Sequence, residues 1–179
     1  MDVLLTKWAG LEGTAIIAKD REEELKKRFP DAMVETAKAF GEMISVQKEG
    51  RIAAGHGASA MHDVTEGGIF GALWELAEAS KVGLSVDLRA IPIRQETIEI
   101  CEFYDLNPYE LIGSGSMLIA AENGSELLRE LSGQGIPAAI IGHITEGNDR
   151  VLMNQGEKRF LTPPHTDEIY KITGKRENT

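Results

Sequence analysis

Five consecutive apolar residues, Met117-Leu118-Ile119-Ala120-Ala121, leave no polar side that could meet water. The run is short enough to be a strand buried inside a sheet rather than a half-solvated one. The surrounding segments supply an α/β order of elements. Val3 to Thr6 is a short β-like run, and Leu11 to Lys19 repeats small and apolar residues at helical spacing. Asp20 to Arg28 is almost wholly charged and reads as an exposed helix, which Phe29-Pro30-Asp31 breaks before another helix runs to about Met43. Ala53 to Ala60, rich in Gly, Ala and Ser, fits either a flexible connection or a backbone packed closely against a neighbour. Ile69, Leu73, Leu76 and Ala77 form an apolar helical stripe, ended by Lys81-Val82-Gly83. Leu84 to Leu88 alternates like a strand, Gln95 to Tyr104 is helical, and Pro108 to Ile112 reads as a short helix. Ser125 to Leu131 is helical; Ala138 to Ile144 and Val151 to Met153 are β-like, with Gly147-Asn148-Asp149 turning between them. These elements define one domain over residues 1–170 and a polar tail over 171–179.

At 179 residues and 42% hydrophobic content, the chain can bury a core without disulfide or metal support. Its single cysteine, Cys101, falls in a helical segment and is expected as a half-buried core thiol. Lys and Arg number 19 against 29 Asp and Glu, a formal charge of -10 that repels phosphate backbones and anionic lipid. No nucleic-acid partner is expected. The apolar runs are far shorter than the ~20 residues that cross a bilayer, so the expectation is a cytoplasmic protein with no membrane association. His56, His62, His143 and His165 show no ligand spacing, and no metal site is expected.

Three glycine-bearing segments carry the chemistry. Asp63-Val64-Thr65-Glu66 has the form of a capping box, with Asp63 as helix cap and Glu66 reaching back to it. Gly67 and Gly68 then fall in the first helical turn, where each weakens a helix by ~1 kcal/mol relative to alanine. Either this is plain capping and close packing, or a phosphate approaches the backbone, with Mg2+ bridging it to the two acids. Gly113-Ser114-Gly115-Ser116 is open to the same two readings, a tight turn or a set of anion donors. Gly10-Leu11-Glu12-Gly13-Thr14 lies between strand and helix, where anion loops occur, yet lacks the lysine of a P-loop. The candidate binding residues are therefore Gly10, Gly13, Thr14, Asp63, Thr65, Gly67, Gly68, Gly113, Ser114 and Gly115. No catalytic residue is singled out; His62 reads as a packing or hydrogen-bonding histidine or as an acid or base.

Asp63 to Ile69, the following Leu76 to Gly83, and then Ala90 to Arg94, Ile100 to Glu102, Leu106 to Pro108, Gly115 and Ala139 to Thr145 resemble, in order, successive blocks of the HypE proteins of hydrogenase maturation. More distantly, Asp63 to Gly68 and Lys7 to Ala18 are similar to segments in the C-terminal domain of AIR synthase and its superfamily. That superfamily also includes thiamine-monophosphate kinase and selenophosphate synthetase. The resemblance implies a three-layer α/β/α domain with a mixed sheet, its functional edge built by the segments around Gly10, Asp63 and Gly113. It implies the C-terminal domain of a dimeric enzyme using ATP and Mg2+, held chiefly by an N-terminal domain that this chain is expected to lack, since a strand opens it almost at once. In HypE the acceptor is a carbamoyl group on the protein's own C-terminal cysteine; other members act on small-molecule acceptors. This chain ends Arg176-Glu177-Asn178-Thr179, so its tail is not expected to carry that group, and Ser114 stands where HypE proteins usually have a glutamate. The implied reading is an enzyme half, inactive alone, with hydrogenase-maturation partners. The alternatives are a degenerate module that binds a nucleotide or metabolite without chemistry, or a subunit of another superfamily member.

Overall fold

A computed structural model describes residues 1–173. Its centre is a seven-stranded sheet made of β1 (Asp2–Thr6), β2 (Ala58–Asp63), β3 (Gly83–Asp87), β4 (Met117–Ala121), β5 (Ala138–Thr145), β6 (Arg150–Asn154) and β7 (Glu157–Phe160). The spatial order is β2-β4-β1-β5-β3-β6-β7. The sheet is mixed: β3 and β6 run parallel, and the other pairs are antiparallel. The apolar run at 117–121 is β4, all five residues buried, between β2 and β1.

Alternation along β1 and β4 explains the layering. Leu4, Met117, Ile119 and Ala121 point to one face, where α7 (Gly124–Gly133) supplies Leu127 and Leu131 and α4 (Gln47–Gly55) supplies Ala53. Val3, Leu5 and Leu118 point to the other, against Ile69, Leu73, Leu76 and Ala77 of α5 (Gly68–Ser80). Side chains such as Leu118 and Ile119 are fully buried, each stabilising the fold by ~1.5–3 kcal/mol. A second helical cluster packs α1 (Leu11–Asp20), α3 (Asp31–Ala39) and α6 (Gln95–Tyr104) around Ile17, Val34 and Ile100.

Several local expectations are corrected. The charged segment 20–28 is not a continuous solvated helix: α2 covers only Glu22–Leu25, and Leu25 is fully buried. The helix expected to reach Met43 ends as α3 at Ala39 and tightens into a 3-10 turn over Phe40–Met43. Pro108 to Ile112 is a turn rather than a helix, because the Asn107 side chain accepts the Tyr109 N–H (3.1 Å) and diverts the backbone. The turn at 147–149 does not make a hairpin, since β3 inserts between β5 and β6. Ala53 to Ala60 is not a flexible connection; it holds the end of α4 and the start of β2. Cys101 is buried rather than half-buried, and burial pushes its thiol up to about 12, so it is no nucleophile at neutral pH. Helix α8 (Tyr170–Thr173) extends the fold beyond residue 170, with Ile172 buried in the second cluster. The remainder of the polar tail, 174–179, lies outside the described residues.

Candidate functional site

The three glycine-bearing segments meet. Each leaves or enters the same end of the sheet: 7–11 follows β1, 63–68 follows β2, and 113–116 precedes β4. Because β4 pairs with both β1 and β2, their loops emerge side by side. A methyl group placed on Gly113 would lie 2.9 Å from Val64 Cγ1 and 3.6 Å from the Gly10 amide nitrogen. Val64 N–H donates to the Ser116 carbonyl (2.9 Å), Gly13 N–H to the Ile112 carbonyl (2.9 Å), and Ser116 Oγ to the Trp8 carbonyl (2.6 Å).

Within this junction most of the predicted residues are internal. Gly10, Gly13, Thr14, Gly67, Gly68, Gly113 and Gly115 are buried. Thr14 Oγ1 donates to the Gly10 carbonyl (2.7 Å) and lies 2.8 Å from Thr97 Oγ1, so it fastens α1 to α6. Solvent reaches Asp63, which is exposed, and Thr65 and Ser114, which are half-buried. The turn at 113–116 closes through Ser116 N–H to the Gly113 carbonyl (3.1 Å), which leaves the Ser114 and Gly115 amides out of its closing bond. The site's outer rim is therefore Asp63, Thr65 and Ser114, with the buried Gly115 behind Ser114 in the same turn.

The expected capping box does not form. Asp63 ends β2, α5 begins at Gly68, and its cap is Gly67 in the left-handed region (φ 82°) without a side-chain cap bond. The Gly67 N–H is instead taken by a carboxylate 100 residues later: Asp167 Oδ2 accepts it at 2.7 Å, while Oδ1 accepts Ile112 N–H (3.2 Å) and Ile169 N–H (2.9 Å). Burial pushes the Asp167 carboxyl up from the ordinary carboxylate range, and the three N–H donors only partly offset it. Next to it, Glu168 accepts Asn107 N–H (2.9 Å) and pairs with Lys171 (2.7 Å), and Tyr170 Oη donates to Glu66. Residues 161–173 thus form a strap across the Glu66-Gly67 segment and the neighbouring 107–112 turn. Sequence reading had no signal for it, because Asp167 lies in a stretch with neither periodicity nor motif.

Lys7 was also missed. It adopts φ 54°, and its Nζ donates to the carbonyls of Met43 (2.9 Å), Ser45 (2.9 Å) and Gly115 (2.7 Å) while pairing with Glu49 Oε1 (2.7 Å). His62 Nδ1 donates to the Asp63 carbonyl (2.7 Å) and Nε2 lies 3.2 Å from Glu75 Oε2, which ties β2 to α5. Among the described residues, no three His, Cys, Asp or Glu side chains converge as a metal-ion cage. No helix among them is long and apolar enough to cross a membrane. The larger hollows lie away from the junction: about 560 Å3 between Arg21, Tyr104 and Lys171, and about 490 Å3 on the sheet face by Asp87 and His143. Both are open grooves, and neither contains a residue of the three segments.

Residues 2–154 match the family described as AIR synthase related protein, C-terminal domain. Carbamoyl dehydratase HypE of Rhizobium leguminosarum bv. viciae is 30% identical over 146 residues, covering 79% of this chain and 40% of that protein. A crystal structure of hydrogenase maturation protein HypE in complex with ATP superposes with a TM-score of 0.67 at 19% identity, covering 94% of this chain and 52% of that one. Thiamine monophosphate kinase from Aquifex aeolicus gives a TM-score of 0.62 at 18% identity, covering 88% and 51%. The chain thus spans about half, or less, of the proteins it matches.

Proposed function

Because this chain belongs to the AIR synthase related C-terminal domain family, we propose that it is the cleft-closing half of an ATP-dependent enzyme of HypE type. In that reading the whole protein activates a carbamoyl or other amide-like oxygen by phosphorylation, as part of hydrogenase maturation. The observation that carries the reading is the convergence of the Gly10, Val64 and Gly113 segments at one end of the sheet.

The rim residues suit an anionic ligand and a hydrated cation. Ser114 offers a hydroxyl and its backbone N–H to phosphate or acceptor oxygens. Asp63 is the exposed carboxylate that would share a Mg2+ ion with ATP phosphates, which needs only one or two protein ligands. ATP supplies the phosphoryl group; this chain's residues orient the acceptor and exclude water from it. The acceptor is a carbamoylated group or a small amide-bearing molecule, the assembled protein is a homodimer, and its compartment is the cytoplasm.

The Asp167 carboxylate on Gly67 N–H favours a second reading, a module that binds nucleotide or metabolite without chemistry, because it fills one expected anion contact. ATP hydrolysis separates the two. It is measured for the chain alone and fused behind the N-terminal half of a HypE relative, with and without a carbamoylated peptide. Turnover by the fusion alone is expected; ATP binding without turnover by either protein supports the module.

A further inference from the structure

We infer that Lys7 and Glu49 are a positioning pair that holds the Ser114-Gly115 turn in place, and so set the shape of the rim on which the proposed function rests. The pair is expensive for the fold. Its lysine sits in the left-handed region (φ 54°), where a side chain with a Cβ is disfavoured, and the two side chains are only 11% and 3% exposed. A buried ion pair of this kind stabilises a fold no better than two apolar side chains of similar size, so stability alone does not account for it.

Its contacts are directed at the turn. Gly115 (φ 105°) lies flat on the link between the 3-10 turn and α4: a methyl group there would come to 2.6 Å from the Met43 carbonyl oxygen and 2.9 Å from Ile44 Cα. Lys7 Nζ binds the carbonyls on both sides of that contact, Met43 and Ser45, and the Gly115 carbonyl above it. Glu49, from the first turn of α4, neutralises the ammonium. The far end of the turn is already fixed to β1, through Ser116 Oγ to Trp8 and Met117 N–H to Thr6 Oγ1 (3.0 Å). The freedom left to Ser114 and Gly115 is what Lys7 removes. Its three N–H groups face four oxygens, so it acts through the turn and not on a ligand.

The test is amide hydrogen exchange, read without nucleotide, at Ser116, whose N–H closes the turn, with Leu118 of β4 as reference. Lys7→Met/Glu49→Leu removes the charges as a pair, and Glu49→Gln keeps the volume where the double variant fails to fold. Exchange at Ser116 is expected to accelerate about tenfold or more while Leu118 is unchanged. Lys7→Arg, which keeps charge and donors, is expected to recover part of the protection. Equal acceleration at both amides, or none at Ser116, overturns the inference. Loss of Ser116 protection in a chain that binds no ATP would leave the pair standing and remove the functional reading instead.

Discussion

Gly68→Ala is expected to lower the melting temperature by roughly 5–15 °C, at ~2–4 °C per kcal/mol for a chain of this size. Two terms add. Residue 68 has φ 62°, a region that disfavours an alanine by ~1–2 kcal/mol. The new methyl would also lie 2.5 Å from the Tyr109 carbonyl oxygen and 2.8 Å from that of Leu111, backbone atoms that cannot rotate aside. Forcing the 109–111 turn away from α5 adds ~1–3 kcal/mol and loosens the Phe70 N–H to Tyr109 bond (3.1 Å). Gly133→Ala is the control: nothing lies within 4 Å of its added methyl and its φ is ordinary, so that variant should be neutral or slightly stabilised. Thermal denaturation of both variants checks the pair, and equal melting temperatures would contradict the packing described around Gly68.

Asp167→Ala is expected to destabilise the fold by about 2–4 kcal/mol, since it strips the acceptor from three backbone N–H groups, two of them in buried residues. The loss should be local first, with faster exchange at Gly67 and Ile112 than in the sheet, because the strap can lift while the sheet persists. The pH dependence has a definite sign. A carboxyl whose folded pKa is raised contributes its stability below the unfolded value and loses it as pH rises through the folded value. The difference between Asp167→Ala and the parent should therefore be larger near about pH 4 than near about pH 7. Urea unfolding at the two pH values checks this; a difference that grows with pH would contradict the buried carboxyl.

What could be read in the sequence follows from range. The segments later seen as β1, α1, α5, β3, α6, β4, α7, β5 and β6 declare themselves by period, because each buries its own stripe or face. The meeting of the three glycine segments was anticipated from their resemblance to a family, and it holds. The rest depended on partners distant in sequence. Asp63 to Glu66 has every residue of a capping box, yet sheet pairing keeps Asp63 in β2 and Asp167 answers for the helix start. Helix α4 hides behind Gly50 and a polar surface, and Glu49 on it is explained only by Lys7, 42 residues earlier. The burial of Gly10, Gly13 and Gly68 comes from the neighbours they admit, Leu111 and the 109–111 backbone, which no local pattern announces.

The most direct test of the shared rim is a titration of the isotope-labelled chain with ATP and Mg2+, followed by amide chemical shifts. Weak binding, with shifts centred on Asp63, Thr65, Ser114 and Gly115 and reaching Gly10, is the predicted result. No shifts up to about 10 mM nucleotide, or shifts centred on the Arg21 and Lys171 groove or on the sheet face by His143, would contradict it.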